Sequence, residues 1–186
     1  GRYAITRRYL KSLSNAQKSS YSILMDLVAA AERAYTWGDI HEASWRYYQL
    51  VEWSARVRLF TGYGLKSPEK LERIEAIPTL RKDFRDRIRY QARNGMVYLT
   101  LYLLYDVLKE AGDPAGTAFH ENAILQDLIS TRNRWLHNLE TPDPSDVADL
   151  RTTVLAFLRQ CWEGLATGEA QSAWPMSLQQ DTRVVP

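Results

Sequence analysis

The stretch Ala123-Ile124-Leu125-Gln126-Asp127-Leu128-Ile129-Ser130-Thr131-Arg132-Asn133-Arg134-Trp135-Leu136-His137-Asn138 decides how the rest of the chain is read. Its first half is an apolar helical run. Its second half places three unlike polar groups close together. Arg132 is a permanent cation with a fork of donors. Asn133 can donate and accept. His137 can give or take a proton near neutral pH. Four residues separate Asn133 from His137, so on a helix they share a face, with Arg132 on its flank. A cation for a phosphate beside a proton shuttle is the minimum equipment for cutting a phosphodiester.

Helices surround this stretch on both sides. From Ser19 to Trp37 apolar residues recur with helical period at Ile23, Leu24, Leu27, Val28, Ala31 and Tyr35. Gly38 ends that helix, and Asp39 with Glu42 opens the next, which runs to Phe60. The two form an αα-hairpin. Glu52 reads as the partner of Arg56 one turn on, and His41 as a surface residue. Ser67-Pro68 reads as the cap and first residue of a short helix to Glu75. Arg81, Arg85, Arg89 and Arg93 follow at four-residue spacing. They form either a solvated face laced with ion pairs or the wall of a groove for single-stranded RNA. Met96 to Ala111 reads as one apolar, central helix, and His120 as the start of the motif helix. A last helix runs from Pro144 to Leu165. No strand signal, internal repeat or Gly-rich phosphate loop is present. The expectation is an all-α helical bundle.

With 186 residues, the chain is long enough for one domain with a real core. Eleven Tyr and six Trp make much of the buried area aromatic. A net charge of +2 leaves room for a local basic patch. Cys161 is the lone cysteine, so it forms no internal disulfide and reads as a small apolar residue in a reducing, cytoplasmic compartment. No carboxylate or cysteine set suits a metal, and no cofactor is implied. No apolar run reaches the ~18–20 residues that span a bilayer. Residues 1–18 read as a basic leader, 19–168 as the helical domain and 169–186 as a polar tail.

The run Arg132-Asn133-x-x-x-His137 resembles the Arg-x4–6-His motif of the HEPN superfamily. It has the form in which Asn follows Arg, and it lies near the C-terminal end of a helical domain. Tyr48-x-x-x-Glu52 on the second helix resembles the HEPN ribonucleases attached to CRISPR-associated ligand-sensing (CARF) domains. The resemblance implies a metal-independent endoribonuclease of single-stranded RNA, with a composite cleft at the interface of a two-fold symmetric homodimer. In that cleft the RNA's own 2′-hydroxyl attacks the neighbouring phosphate. Arg132 stabilises the transition-state charge, and His137 moves a proton or orients the phosphate. Asn133 orients the pair or holds the phosphate. Trp135 either stacks on a base or packs in the core or dimer. The chain opens on Gly1 rather than methionine. With the Tyr-x-x-x-Glu helix, this gives the expectation of an antiviral effector domain from a longer protein, preceded by a domain that senses a cyclic oligonucleotide. The alternatives are a non-catalytic HEPN-like dimerisation or RNA-binding module, a HEPN toxin paired with a nucleotidyltransferase antitoxin, and an unrelated helical interaction domain.

Overall fold

In the computed structural model the described residues are 20–162. They form eight helices and one two-stranded sheet. The leader at 1–18 and the tail at 169–186 lie outside them.

Helices α1 (Ser20–Thr36) and α2 (Ile40–Tyr63) form the expected hairpin. Gly38 turns the chain at φ +76°, and the Asp39 side chain accepts from the Glu42 N–H at 3.1 Å. Helix α2 runs three residues beyond the expected end at Phe60. It stops where Gly64 turns left-handed at φ +65° and Leu65 N–H reaches back to the Leu59 carbonyl. Tyr47, Leu50, Val51 and Ala55 are fully buried along it. Helix α2 packs against α1, α5 (Leu101–Glu110) and α8 (Pro144–Cys161), which makes it the axis of the bundle.

The segment between α2 and α5 differs from the sequence reading. Ser67-Pro68 is a cis peptide and does not start a helix. Glu69–Lys70 forms strand β1, and helix α3 covers only Leu71–Glu75. Met96–Val97 forms strand β2, antiparallel to β1, so the expected helix from Met96 begins only at Leu101. Two features supply the reason. Asn94 and Gly95 both take positive φ, +52° and +73°, which closes a two-residue hairpin after helix α4 (Lys82–Gln91). Glu69 is buried, and its carboxylate accepts the Lys66 and Lys70 backbone N–H groups at 2.9 Å each. Burial raises the pKa of that carboxyl, but the backbone donors outweigh it and hold it low.

Aromatic rings join α5, helix α6 (Pro114–Glu121) and α8 to the axis. Tyr105 and Phe119 stack with centroids 4.0 Å apart, Phe157 meets both edge-on, and the Tyr105 hydroxyl donates to the Val51 carbonyl at 2.7 Å. Gly116 lets α6 cross α5 closely: a Cβ there would lie 2.2 Å from the Lys109 nitrogen. Glu32 of α1 accepts from Tyr47 and from Arg151 of α8, tying three helices together. Cys161 packs against the core, and burial pushes its thiol pKa up to about 12.

Candidate active site

Helix α7 (Ala123–Asn138) carries the motif. Asn122 caps it, its side chain accepting the Leu125 N–H at 2.9 Å. His120, expected at the start of this helix, lies in the last turn of α6, with Nε2 3.0 Å from Asp106 Oδ1. The buried side of α7 is Leu125, Ile129, Arg132 and Trp135. These are core-facing positions of one helical stripe, and an arginine occupies one of them.

Arg132 is only 5% exposed. No carboxylate pairs with it among the described residues. Its guanidinium carbon packs over two rings of α2 instead, 4.6 Å from the Trp45 centroid and 4.3 Å from the Tyr48 centroid. Those rings lie 24° from parallel with centroids 6.3 Å apart, so together they form one aromatic floor. Arg132 Nη1 donates to Asn133 Oδ1 at 3.0 Å. Burial pulls the guanidinium below its ordinary pKa, against the raising influence of Tyr48 and Glu52. Burial likewise raises the Tyr48 phenol pKa, helped by Glu52. Glu52 forms the expected pair with Arg56 at 2.5 Å. The Tyr48-x-x-x-Glu52 helix therefore faces the motif helix directly.

The seat is open on one side. Trp45 is 40% exposed, and Arg132 lines a cleft of about 360 Å³ with Trp45, His41, Glu42, Leu139 and Glu140. His41, expected as a plain surface residue, belongs to this cleft. Neither it nor Glu140 carries a sequence signal, because only the fold brings α2 beside the end of α7. Leu139 ends α7 in the left-handed region at φ +56°, with its side chain 91% exposed.

Asn133 is half-buried and touches Arg132. His137 is exposed in the last turn of α7 and makes no hydrogen bond or ion pair among the described residues. Five residues on a helix rotate a side chain by about 140°. Arg132 thus turns into the bundle while His137 turns out to solvent. Trp135 is buried in the core.

The arginine series does not form one helical stripe. Helix α4 includes Arg85 and Arg89, Arg81 is its N-cap residue, and Arg93 stands beyond it in the hairpin. Arg81 pairs with Glu110, Arg89 with Glu75 and Asp86, and Arg85 donates to the Ile77 carbonyl. Among the described residues, Arg93 is the one of the four whose side chain makes no hydrogen bond or ion pair.

Among the described residues no helix is long and apolar enough to cross a membrane, and no group of three His, Cys, Asp or Glu could hold a metal ion. No curated protein and no solved structure matches the chain significantly. A family model described as the Csm6 HEPN domain matches residues 12–160, a span that holds the motif, its aromatic seat and nearly all of the bundle. This chain belongs to the Csm6 HEPN domain family, HEPN domains of the CRISPR-associated type.

Proposed function

We propose that the chain is a metal-independent endoribonuclease acting on single-stranded RNA. Its site is completed where two copies bring their α7 helices together. The observation that carries this reading is the Arg132 guanidinium, buried on the Trp45–Tyr48 floor and held in no ion pair among the described residues. A charge kept in a half-dry cleft with no direct ion pair is available to a phosphate and acts more strongly than in water. Family membership supports RNA as the substrate, since HEPN domains are generally ribonucleases.

In the proposed reaction a 2′-oxygen–phosphorus bond forms and the bond to the 5′-oxygen breaks. No external nucleophile is needed, because the 2′-hydroxyl is already beside the phosphate. One group takes the 2′ proton and another gives a proton to the leaving 5′-oxygen. A two-fold axis supplies His137 twice, one copy for each role. Arg132 stabilises charge on the phosphorane-like transition state, and Asn133 holds the guanidinium or the phosphate in place. The divergence of Arg132 and His137 on one helix fits a site completed by a second copy. The products carry a 2′,3′-cyclic phosphate and a 5′-hydroxyl.

The reading extends to a cytoplasmic effector within a longer antiviral protein, where a cyclic-oligonucleotide-sensing domain controls the site. Family membership supports that setting. A pair of oligonucleotides of one sequence tests the chemistry, one RNA and one DNA. The RNA should be cut and the DNA left intact, whereas equal cleavage of the DNA would overturn the 2′-hydroxyl mechanism.

A further inference from the structure

We propose that the Asn94–Gly95 hairpin carries an accessory nucleotide subsite for single-stranded RNA, with Arg93 on a phosphate and Tyr98 against a base. This rests on the ribonuclease reading above. The hairpin borders a cleft of about 660 Å³ lined by Gln91, Arg93, Asn94, Met96 and Tyr98. Small-molecule sites occupy ~300–1,000 Å³. The lining holds one cation, two side-chain amides and one phenol ring, and no carboxylate. The Arg132 cleft differs, since Glu42 and Glu140 line it.

Among the described residues, Arg93 is the one arginine of its segment whose side chain makes no ion pair or hydrogen bond. Carboxylates hold Arg81, Arg87 and Arg89, and a backbone carbonyl holds Arg85. A phosphate entering this cleft therefore meets its available charge at Arg93. Tyr98 supplies the ring. Val97 and Leu99 on either side are 0% and 2% exposed, while Tyr98 is 65% exposed with no ring partner among the described residues. Just past β2, burial of both neighbours anchors the chain while the phenol stays outward. An exposed tyrosine face beside an arginine that is unpaired among the described residues matches the stacking and phosphate contacts of single-strand binding. Gln91 and Asn94 can donate to or accept from a base edge.

The platform is pre-ordered. Arg93 and Met96 exchange backbone hydrogen bonds at 2.9 and 3.0 Å across the turn. The Gly95 carbonyl accepts the Leu71 N–H at 2.9 Å, which fixes the turn to α3. A rigid support lowers the ordering cost of binding.

The test is fluorescence anisotropy with a labelled, mixed-sequence single-stranded RNA. The full chain is used in a His137→Ala background, so that binding is read without cleavage. Arg93→Ala and Tyr98→Ala should each weaken binding roughly tenfold, and Tyr98→Phe should restore it. Arg93→Ala should also lower the salt-dependence slope by about 0.7, the share of one phosphate on a single strand. Arg89→Ala, which removes an arginine already ion-paired, should leave affinity in place. Unchanged affinity in Arg93→Ala and Tyr98→Ala, with RNA still bound, would overturn the subsite alone. An equal loss in Arg89→Ala would overturn it in favour of general surface charge. No RNA binding by the His137→Ala background protein, together with no cleavage by the wild type, would overturn the ribonuclease reading as well.

Discussion

The Arg132 guanidinium carbon lies 4.3 Å from the centroid of the Tyr48 ring, joining the motif helix to the axis helix through a cation and a π face. Arg132 takes a position on the buried stripe of α7 that an aliphatic side chain would fill at less electrostatic cost. Its pKa is pulled down by that burial. A folded chain tolerates such a placement most readily where the charge is used.

Replacing Arg132 with Met separates use from stability. Arg132→Met keeps an unbranched side chain, shorter than arginine, and removes the buried charge. Unfolding stability should stay within about 1 kcal/mol of wild type or rise. Cleavage should fall by about 10²–10³-fold, as when one transition-state donor is lost. Denaturant unfolding beside a cleavage assay reads both. A stability loss above about 3 kcal/mol would instead make Arg132 a structural residue.

The aromatic floor should act through Arg132. Trp45→Ala removes one of its two rings at a 40% exposed position. A double-mutant cycle with Arg132→Met should give a coupling of about 0.5–2 kcal/mol in stability. Cleavage by Trp45→Ala should fall at least about tenfold through misplacement of the guanidinium, and Trp45→Phe should keep most of it. Zero coupling would disconnect the floor from the arginine.

Glu32 sets an acid limit on the fold. Burial works to raise its pKa, but the hydrogen bonds from Arg151 and Tyr47 prevail and hold it below the ordinary value. A depressed carboxyl stabilises the fold above its unfolded pKa, about 4.3 for glutamate, and that contribution fades as pH falls through the lower folded value. The stability advantage of wild type over Glu32→Gln should therefore be largest near neutral pH and shrink below about pH 4. Thermal melts across that range check it. A gap that stays constant with pH would contradict the assignment.

The sequence made the α1–α2 hairpin legible because its signals are local: helical period, Gly38 and the Asp39–Glu42 cap. The Glu52–Arg56 pair was legible for the same reason. Arg132 was located but its direction was missed. The spacing of Asn133 and His137 drew the eye to the exposed face, while Leu125, Ile129 and Trp135 place Arg132 on the buried one. Its ring partners lie more than eighty residues earlier, so no local pattern could name them. The β1–β2 sheet was hidden by strands of two residues each, too short for an alternating pattern, although the Asn94-Gly95 dipeptide that turns the chain from Arg93 into β2 is a hairpin signal in its own right. His41 entered the Arg132 cleft only through tertiary packing.

The most direct measurement is incubation of wild type, Arg132→Ala and His137→Ala with fluorescent single-stranded RNA in EDTA. The account predicts cleavage by wild type alone, leaving 2′,3′-cyclic phosphate ends. Cleavage by His137→Ala at an undiminished rate, or wild-type activity abolished by EDTA and restored by a divalent metal, would contradict it.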